Sequence, residues 1–328
     1  MIGPFDTYRI PPIGVAYGKY NRKPRLIVYL SAHYNNPSHP NINSLIDKEE
    51  FSVSYVRLDD ALQIVNSLEV NTSMVTTDIV DAFKMIPVKP ELWRYLGICW
   101  NGFYYFYTRL VFGSRSSPKI FDLFSSITCW IAKENYGIRF ILHLLDDFIP
   151  FHPPDEADPT MVSMKLMFKR LNVPLSPLKT VGPTFVLEYL GIIIDSQLML
   201  VSLPEDKRVR VLETVYTYLN KKRCTKRELL SITGYLGHAS RVIPAGRSFV
   251  SYLIALSCTV GPLHYSVSLS KACRLDLLMW FYFLRSWNGV STFYDPKIVN
   301  SCEIELLTDA APSIGFGGYW KDEWFASP

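Results

Sequence analysis

Nowhere in the 328 residues does an uninterrupted apolar run reach the roughly 18 residues of a membrane-crossing helix. The opening Met1-Ile2-Gly3-Pro4-Phe5-Asp6 has neither the basic nor the apolar region of a signal peptide, so an intracellular protein (cytoplasm or nucleus) is expected. Cysteine is sparse. The six residues at 99, 129, 224, 258, 273 and 302 are scattered without a Cys-x-x-Cys pair, which argues against a zinc ribbon or a secreted disulfide framework. Internal repeats and low-complexity tracts are lacking as well. The charge surplus is small, +4, and does not by itself point to nucleic acid. What remains is a globular composition, 48% hydrophobic and 20% charged, long enough for two or more packed units.

Where the charge lies is more informative than its sum. Between Lys207 and Arg227 stand eight basic residues, Lys207, Arg208, Arg210, Lys221, Lys222, Arg223, Lys226 and Arg227, against the single acid Glu213. A solvated helical face is the usual meaning of a charge run, but this imbalance of sign also suits a polyanion. The periodicity predicts a strand over 25–30, a short amphipathic helix over 58–68 and a strand from Met74 to Val80. A hairpin is expected over 95–111 around Asn101-Gly102, then a loop to Pro118 and a helix over 119–133. Further helices are expected over 161–171, from Pro204, from the capping-box pattern Thr225-Lys226-Arg227-Glu228 to about Ser240, and over 275–287. Strands are expected within 185–195, over 303–309 and over 315–320.

Two adjacent aspartates break an otherwise apolar segment, Phe140-Ile141-Leu142-His143-Leu144-Leu145-Asp146-Asp147-Phe148-Ile149-Pro150-Phe151. A buried, unpaired carboxylate is costly enough to require a partner, a proton or a cation. A tight turn between two apolar arms would let the acids ride at its tip, where Mg²⁺ could collect them; an acidic surface turn is the plainer alternative. His143 beside them is expected to be a satisfied core histidine. Another isolated acid, Asp78, ends an apolar strand 68 residues before Asp146. Acids on adjoining strands can converge on two divalent ions about 4 Å apart, the arrangement that serves phosphoryl transfer.

Four ordered segments surround these acids: Asp78-Ile79-Val80-Asp81-Ala82-Phe83, Leu110-Val111-Phe112-Gly113-Ser114-Arg115-Ser116-Ser117-Pro118, Leu144-Leu145-Asp146-Asp147 and Leu187-Glu188-Tyr189-Leu190-Gly191-Ile192. In order and spacing they resemble the palm of retroelement reverse transcriptases. Val53-Ser54-Tyr55 with Asp59-Asp60-Ala61, Ser116 to Phe121, and Cys224-Thr225-Lys226-Arg227-Glu228-Leu229 look like the DIRS-like, tyrosine-recombinase retrotransposon group. The resemblance covers almost the whole chain. It implies an α+β right-hand polymerase with fingers, a ferredoxin-like palm and a helical thumb, ending in an incomplete RNase H-like segment. The implied boundaries are 1–73 for the fingers and N-terminal segment, 74–203 for the palm with an interleaved fingers hairpin at about 86–117, 204–260 for the thumb, 261–302 for a connection and 303–328 for the RNase H-like start.

The same resemblance implies residue roles. Asp78 and Asp146, with the backbone carbonyl of Ile79, would hold two Mg²⁺ ions (or Mn²⁺), and Asp147 would be the adjacent catalytic acid. Phe83 matches the aromatic that crowds a sugar 2′ position, Gly113 the close approach of backbone to nucleotide, and Arg25, with Lys23 or Lys19, the grip on an incoming triphosphate. Lys179 is a candidate proton donor to pyrophosphate, with a plain surface lysine as the alternative. Asp81 is expected to cap the following turn. Lys207, Arg210, Lys221, Lys222, Arg223, Lys226 and Arg227 fall in the thumb, where phosphates of a primer–template duplex of RNA or DNA would lie. Asp309 matches the first RNase H carboxylate, but the other acids that activity needs are not in this sequence, so no RNase H activity is expected from it.

The chain departs from the family pattern at three places. Leu144 stands where tyrosine is usual beside the acids, Val111 where proline is usual, and Tyr29 where an acid or polar residue is common. Two readings follow: an RNA-directed DNA polymerase using deoxynucleoside triphosphates, or a non-catalytic nucleic-acid-binding remnant of one. An unrelated two-metal phosphohydrolase would instead need a compact pocket.

Overall fold

The computed structural model of the chain describes residues 5–17, 24–32, 39–154, 158–286, 290–292, 306–311 and 315–327. The backbone divides into two units, Met1–Ser291 and Thr292–Pro328. The larger opens with the antiparallel pair β1 (Ile13–Tyr17) and β2 (Pro24–Val28), followed by helix α1 (Leu58–Leu68) and strand β3 (Ser73–Asp78). A hairpin, β4 (Gly97–Trp100) and β5 (Phe103–Phe106), precedes helix α2 (Ser117–Tyr136). Then come β6 (Phe140–Leu144), β7 (Asp147–His152), α3 (Thr160–Arg170), β8 (Val181–Thr184), β9 (Val186–Tyr189), β10 (Ile192–Asp195) and β11 (Leu200–Ser202). The last third holds α4 (Glu205–Leu219), β12 (Arg223–Thr225), α5 (Lys226–Ala239), α6 (Ser251–Cys258), β13 (Ser266–Ser268), α7 (Lys271–Ser286) and β14 (Val290–Thr292).

Strand order in the first sheet is β6-β7-β3-β8, and the chain visits it as β3-α2-β6-β7-α3-β8. That is the β-α-β-β-α-β arrangement of a split βαβ unit. Its helices cover one face. Phe148 of β7 meets Phe168 of α3 edge-on at 5.3 Å, and Phe121 of α2, Ile141, Met164 and Met167 complete a core with no exposed surface to speak of. Each of these side chains contributes roughly 1.5–3 kcal/mol by leaving water. A second sheet runs β14-β11-β10-β9. The smaller unit is an antiparallel meander of β15 (Leu306–Ala311), β16 (Gly315–Trp320) and β17 (Glu323–Ser327).

Local chemistry explains most boundaries. Asp60 accepts the backbone N–H of Arg57 at 2.7 Å and closes the start of α1. Thr225 and Glu228 form the expected reciprocal capping box of α5. Helix α2 starts two residues before the expected 119, because Ser117-Pro118 supplies a proline suited to a first helical turn. Helix α7 likewise begins at Lys271 rather than 275. Pro204 is the residue preceding α4, outside its first turn. Helix α6 has an all-round apolar sequence without helical patterning, and the three-residue β12 and β13 are too short to declare themselves. Among the described residues no helix is long and apolar enough to cross a membrane, and the five described cysteines are free thiols.

One loop is fixed with unusual care. Gly113 has φ +97°, and a Cβ there would lie 2.8 Å from the Val28 carbonyl oxygen, so a side chain would collide with the end of β2. Buried Asn43 ties the same loop down. Its Nδ2 donates to the Gly113 carbonyl and to Ser31 Oγ, both at 2.8 Å, and its Oδ1 accepts the Arg115 N–H at 2.9 Å. Asn43→Ala leaves those loop groups unpaired in a buried place, and we expect it to cost about 2 kcal/mol in urea unfolding. A loss below about 0.5 kcal/mol would mean that the clamp is incidental.

Candidate active site

The acidic residues meet where the central strands end. In the antiparallel register of β3 and β7, Asp78 lies directly opposite Asp147, and Leu144 of β6 pairs with Asp147 on its other side. Directly opposed residues share a face, so Leu144, Asp147 and Asp78 form one row. The neighbouring row, His143, Phe148 and Thr77, points to the helices. Asp146 occupies the two-residue turn with Leu145, whose φ is +54°. Two bonds hold this turn: Ile79 N–H donates to the Asp146 carbonyl at 3.1 Å, and Ser125 Oγ of α2 donates to the Leu145 carbonyl at 2.7 Å. The acids thus sit at the tip of an apolar hairpin, with Asp147, not Asp146, facing Asp78 across the strands.

Two of the three carboxylates, Asp146 and Asp147, have raised proton affinity. Although Asp147 as a residue is exposed, its carboxylate is crowded by protein. That desolvation, with the negative charge of Asp146 and a hydrogen bond and charge from Asp78, pushes it up to about 7. Asp146 is raised too, chiefly by burial and then by Asp78. Asp78 is buried, 6% exposed, and its Oδ1 accepts from Lys179 Nζ at 2.7 Å. The lysine stem lies mostly in solvent, and the bond to Asp78 raises the Lys179 pKa.

A hard divalent cation suits this donor set. The donors on offer would be carboxylate oxygens with the Ile79 carbonyl one residue from Asp78, and the proton affinities of Asp146 and Asp147 are raised first by burial and then by the neighbouring carboxylates. Among the described residues no three His, Cys, Asp or Glu side chains form a ready-made cage. Mg²⁺ does not require one, since it is commonly held by one or two carboxylates together with substrate phosphates.

Other candidates fall around the acids. Phe83 is buried, 8% exposed, with its ring 4.8 Å from Phe112 and 5.4 Å from Phe121. Asp81 adopts φ +53° before the short 3₁₀ turn Ala82–Met85, but its side chain makes no capping bond and pairs with Lys84 at 2.8 Å, correcting the expected cap. Arg25 lies on β2, against which the Gly113 loop packs; its side chain, and Lys19 and Lys23 entirely, are outside the described residues. His143 is only half satisfied. Its Nε2 lies 3.2 Å from Ser126 Oγ, whereas Nδ1 is 3.9 Å from Asp122 and has no hydrogen-bond partner, and burial holds the ring below its usual pKa. Asp309 lies exposed on β15, its Oδ1 accepting from the Ala310 N–H at 2.9 Å.

The basic stretch is dispersed by its own fold. Lys207 pairs with Glu188 at 2.6 Å, Lys221 with Glu228 at 2.7 Å, and Arg208 with both oxygens of Glu205 and the Leu284 carbonyl. Arg223 donates to the Ser266 carbonyl at 2.9 Å and Lys226 to that of Val260 at 2.6 Å. Arg210 lies over the Tyr235 ring at 5.9 Å. Lys222 and Arg227 remain exposed. The sequence reading missed Tyr189, whose buried hydroxyl has no hydrogen-bond partner and whose pKa is raised by burial, Asp60 and Asp147. Nothing local marks it, because Asp60 and Asp147 reach it from distant parts of the chain.

No protein-family model matches the chain, and no curated protein does. Solved structures do. They include the foamy viral protease-reverse transcriptase dRH in complex with double-stranded DNA (TM-score 0.61, 17% identity, 98% of this chain and 50% of that one). The foamy viral protease-reverse transcriptase with an RNA/DNA hybrid gives a TM-score of 0.58 at 17% identity, over 98% of this chain and 38% of that one. With double-stranded DNA it gives 0.59 at 16%, over 98% and 59%. The chain therefore spans between 38% and 59% of the length of these neighbours. The likeness establishes a reverse transcriptase-like fold.

The carboxylate crowding makes a signed prediction. Between pH about 4, where an unfolded aspartate releases its proton, and about 7, folded Asp147 retains one. Its contribution to stability in metal-free buffer therefore falls as pH rises through that window. Asp147→Asn removes this slope, so its melting temperature should exceed that of the parent at pH 7.5 in chelator, with the two converging near pH 4. A difference that does not depend on pH would contradict the proton affinity assigned to Asp147.

Proposed function

We propose that the chain is an RNA-directed DNA polymerase of the DIRS-like retroelement group, adding deoxynucleotides to a primer 3′-hydroxyl. The observation that supports this most is the placement of Asp78 opposite Asp147, with Asp146 in the adjoining turn, at the ends of the two central strands of a β-α-β-β-α-β sheet. In this reading β3, β6, β7 and β8 with α2 and α3 are the palm, β1, β2, β4 and β5 belong to the fingers, and α4 and α5 to the thumb. The meander β15–β17, with Asp309, belongs to an RNase H-like segment.

Each residue then has a task. Asp78 and Asp146, with the Ile79 carbonyl, would hold two Mg²⁺ or Mn²⁺ ions, which when bound would supply activation of the 3′-hydroxyl and neutralisation of the departing pyrophosphate. Asp147 keeps negative charge beside the reacting groups and orients its neighbours. Lys179, which here donates to Asp78, would be the group that gives a proton to the departing pyrophosphate. Phe83 closes the space beside the sugar, Gly113 lets backbone approach the base pair, and Arg25 with Lys23 grips the triphosphate. Lys222 and Arg227, together with the paired cations of α4 and α5, take phosphates of the primer–template duplex.

The rival is a nucleic-acid-binding protein without catalysis, and the Asp78–Lys179 ion pair favours it, because it occupies an oxygen that a metal needs. Primer extension on an RNA template separates the two. The parent should extend in Mg²⁺ or Mn²⁺ and Asp146→Asn should not; absence of extension in both metals with duplex binding intact would sink the polymerase reading. A second measurement addresses the lysine. Lys179→Met frees Asp78 of its competitor, so Mn²⁺ binding followed by electron paramagnetic resonance should tighten several-fold. Unchanged or weaker binding would remove Lys179 from the metal's path.

A further inference from the structure

Helix α2 buries one face and leaves an apolar stripe in solvent on the other. Phe121, Ser125, Thr128, Cys129 and Ala132 are among its buried positions. Leu123, Ile127 and Trp130 lie on the opposite side, 61%, 49% and 60% exposed. Their spacing of four and then three residues stacks them along one line of the helix surface. Single exposed apolar side chains are ordinary, but three large ones in line make an unpartnered helix face. Charges of opposite sign bound it. Lys119 continues the line by one turn toward the helix start, and Glu134 by one turn toward its end. The line from Lys119 to Glu134 runs about 22 Å. Both charges stand at the unfavourable ends of their own helix. Lys119 is in the first turn, where the backbone dipole is positive, and Glu134 is in the last turn beside Lys133, where it is negative. Among the described residues neither forms an ion pair.

An antiparallel copy of the same helix accounts for this order of cation, apolar trio and anion. A two-fold axis between Ser126 and Ile127 brings the stripe onto itself. Lys119 then meets Glu134 of the second copy, Leu123 meets Trp130, Ile127 lies near the axis, and each off-axis pair occurs twice. The lysine faces the negative end of the other helix and the glutamate its positive end, so charges disfavoured within one helix are favoured across the pair. We infer that α2 is a self-association surface that joins two copies of this chain, antiparallel, through the stripe from Lys119 to Glu134. The charge order selects a second copy over an arbitrary apolar partner, which has no reason to carry the same pattern reversed. Helix α2 covers the face of the sheet opposite to the row of acids, so the pairing leaves the acidic site of both copies open. Three large side chains per copy are a small apolar centre, and association at micromolar rather than nanomolar concentration is expected.

The test is sedimentation equilibrium of the full chain, free of nucleic acid, from about 1 to 200 µM. A monomer–dimer equilibrium without larger species is expected, because a two-fold contact closes on itself. Ile127→Glu sets two carboxylates together near the axis and should weaken dimerisation by at least about tenfold. Lys119→Glu and Glu134→Lys should each weaken it by about fivefold, since either one creates two like-charge contacts. The double variant Lys119→Glu/Glu134→Lys restores opposite charges in both contacts and should recover most of the parental association. These charge variants keep the test open if Ile127→Glu fails to fold. A chain that stays monomeric across the range would overturn the inference and leave the stripe to a different partner. Dimers that Ile127→Glu leaves intact would place the contact elsewhere, and a double variant no stronger than the single ones would remove the antiparallel pairing. None of these readouts depends on whether the chain extends a primer.

Discussion

The pairing of β3 with β7 is the contact on which the site depends. It sets Asp78 opposite Asp147 and, through the two-residue turn, places Asp146 beside them. Carboxylates in such proximity repel, and burial first, with that repulsion added, raises the proton affinity of Asp146 and Asp147. The register persists because the alternate row faces a dense core. Phe148, Ile79, Phe121, Met164 and Met167 bury nearly all their surface beneath α2 and α3. A one-residue slip would move Phe148 out of that core and the acids into it, at a cost of several kcal/mol for the lost burial alone. Packing on one face of the sheet thus holds an unfavourable electrostatic arrangement on the other, a pattern that marks functional sites.

Charge of the opposite sign is handled in two ways. Lys179 reaches from solvent to a buried acid, so a mostly exposed side chain neutralises an oxygen that water barely touches. In the last third of the larger unit, by contrast, the sequence surplus of cations is spread among Glu188, Glu205, Glu228 and several backbone carbonyls. These partners fix helix ends and connections as much as they cancel charge. Lys221 with Glu228 braces the capping box of α5, and Lys226 ties the same helix start to the end of α6.

The loop containing Gly113 illustrates how irregular backbone is positioned. No regular hydrogen bonding defines it, so its carbonyl and N–H groups are met by one buried amide, Asn43, from a segment 70 residues earlier. Asn43 reads as an ordinary loop residue in a stretch rich in Asn, Pro and Ser, and only its burial reveals it as a clamp.

Much of the architecture was legible along the chain. Helix α1 runs over the expected residues, the Asn101-Gly102 hairpin and the acidic hairpin form where expected, and α5 opens on its capping box. These features rest on periodicity, turn residues and caps, which act within a few positions of each other. The isolated acids were visible for a similar reason, since a carboxylate in an apolar strand violates a local rule. Which acid faces which was not visible: strand register follows from core packing between segments 69 residues apart, and it paired Asp78 with Asp147. Nor could the sequence show that Lys179 bonds Asp78, that Tyr189 lies beside Asp147, or that cations grouped in a line would be parted into ion pairs. Sequence determined the elements and the chemical types available; tertiary packing alone decided their partners, because contact in space depends on burial shared by residues that are remote along the chain.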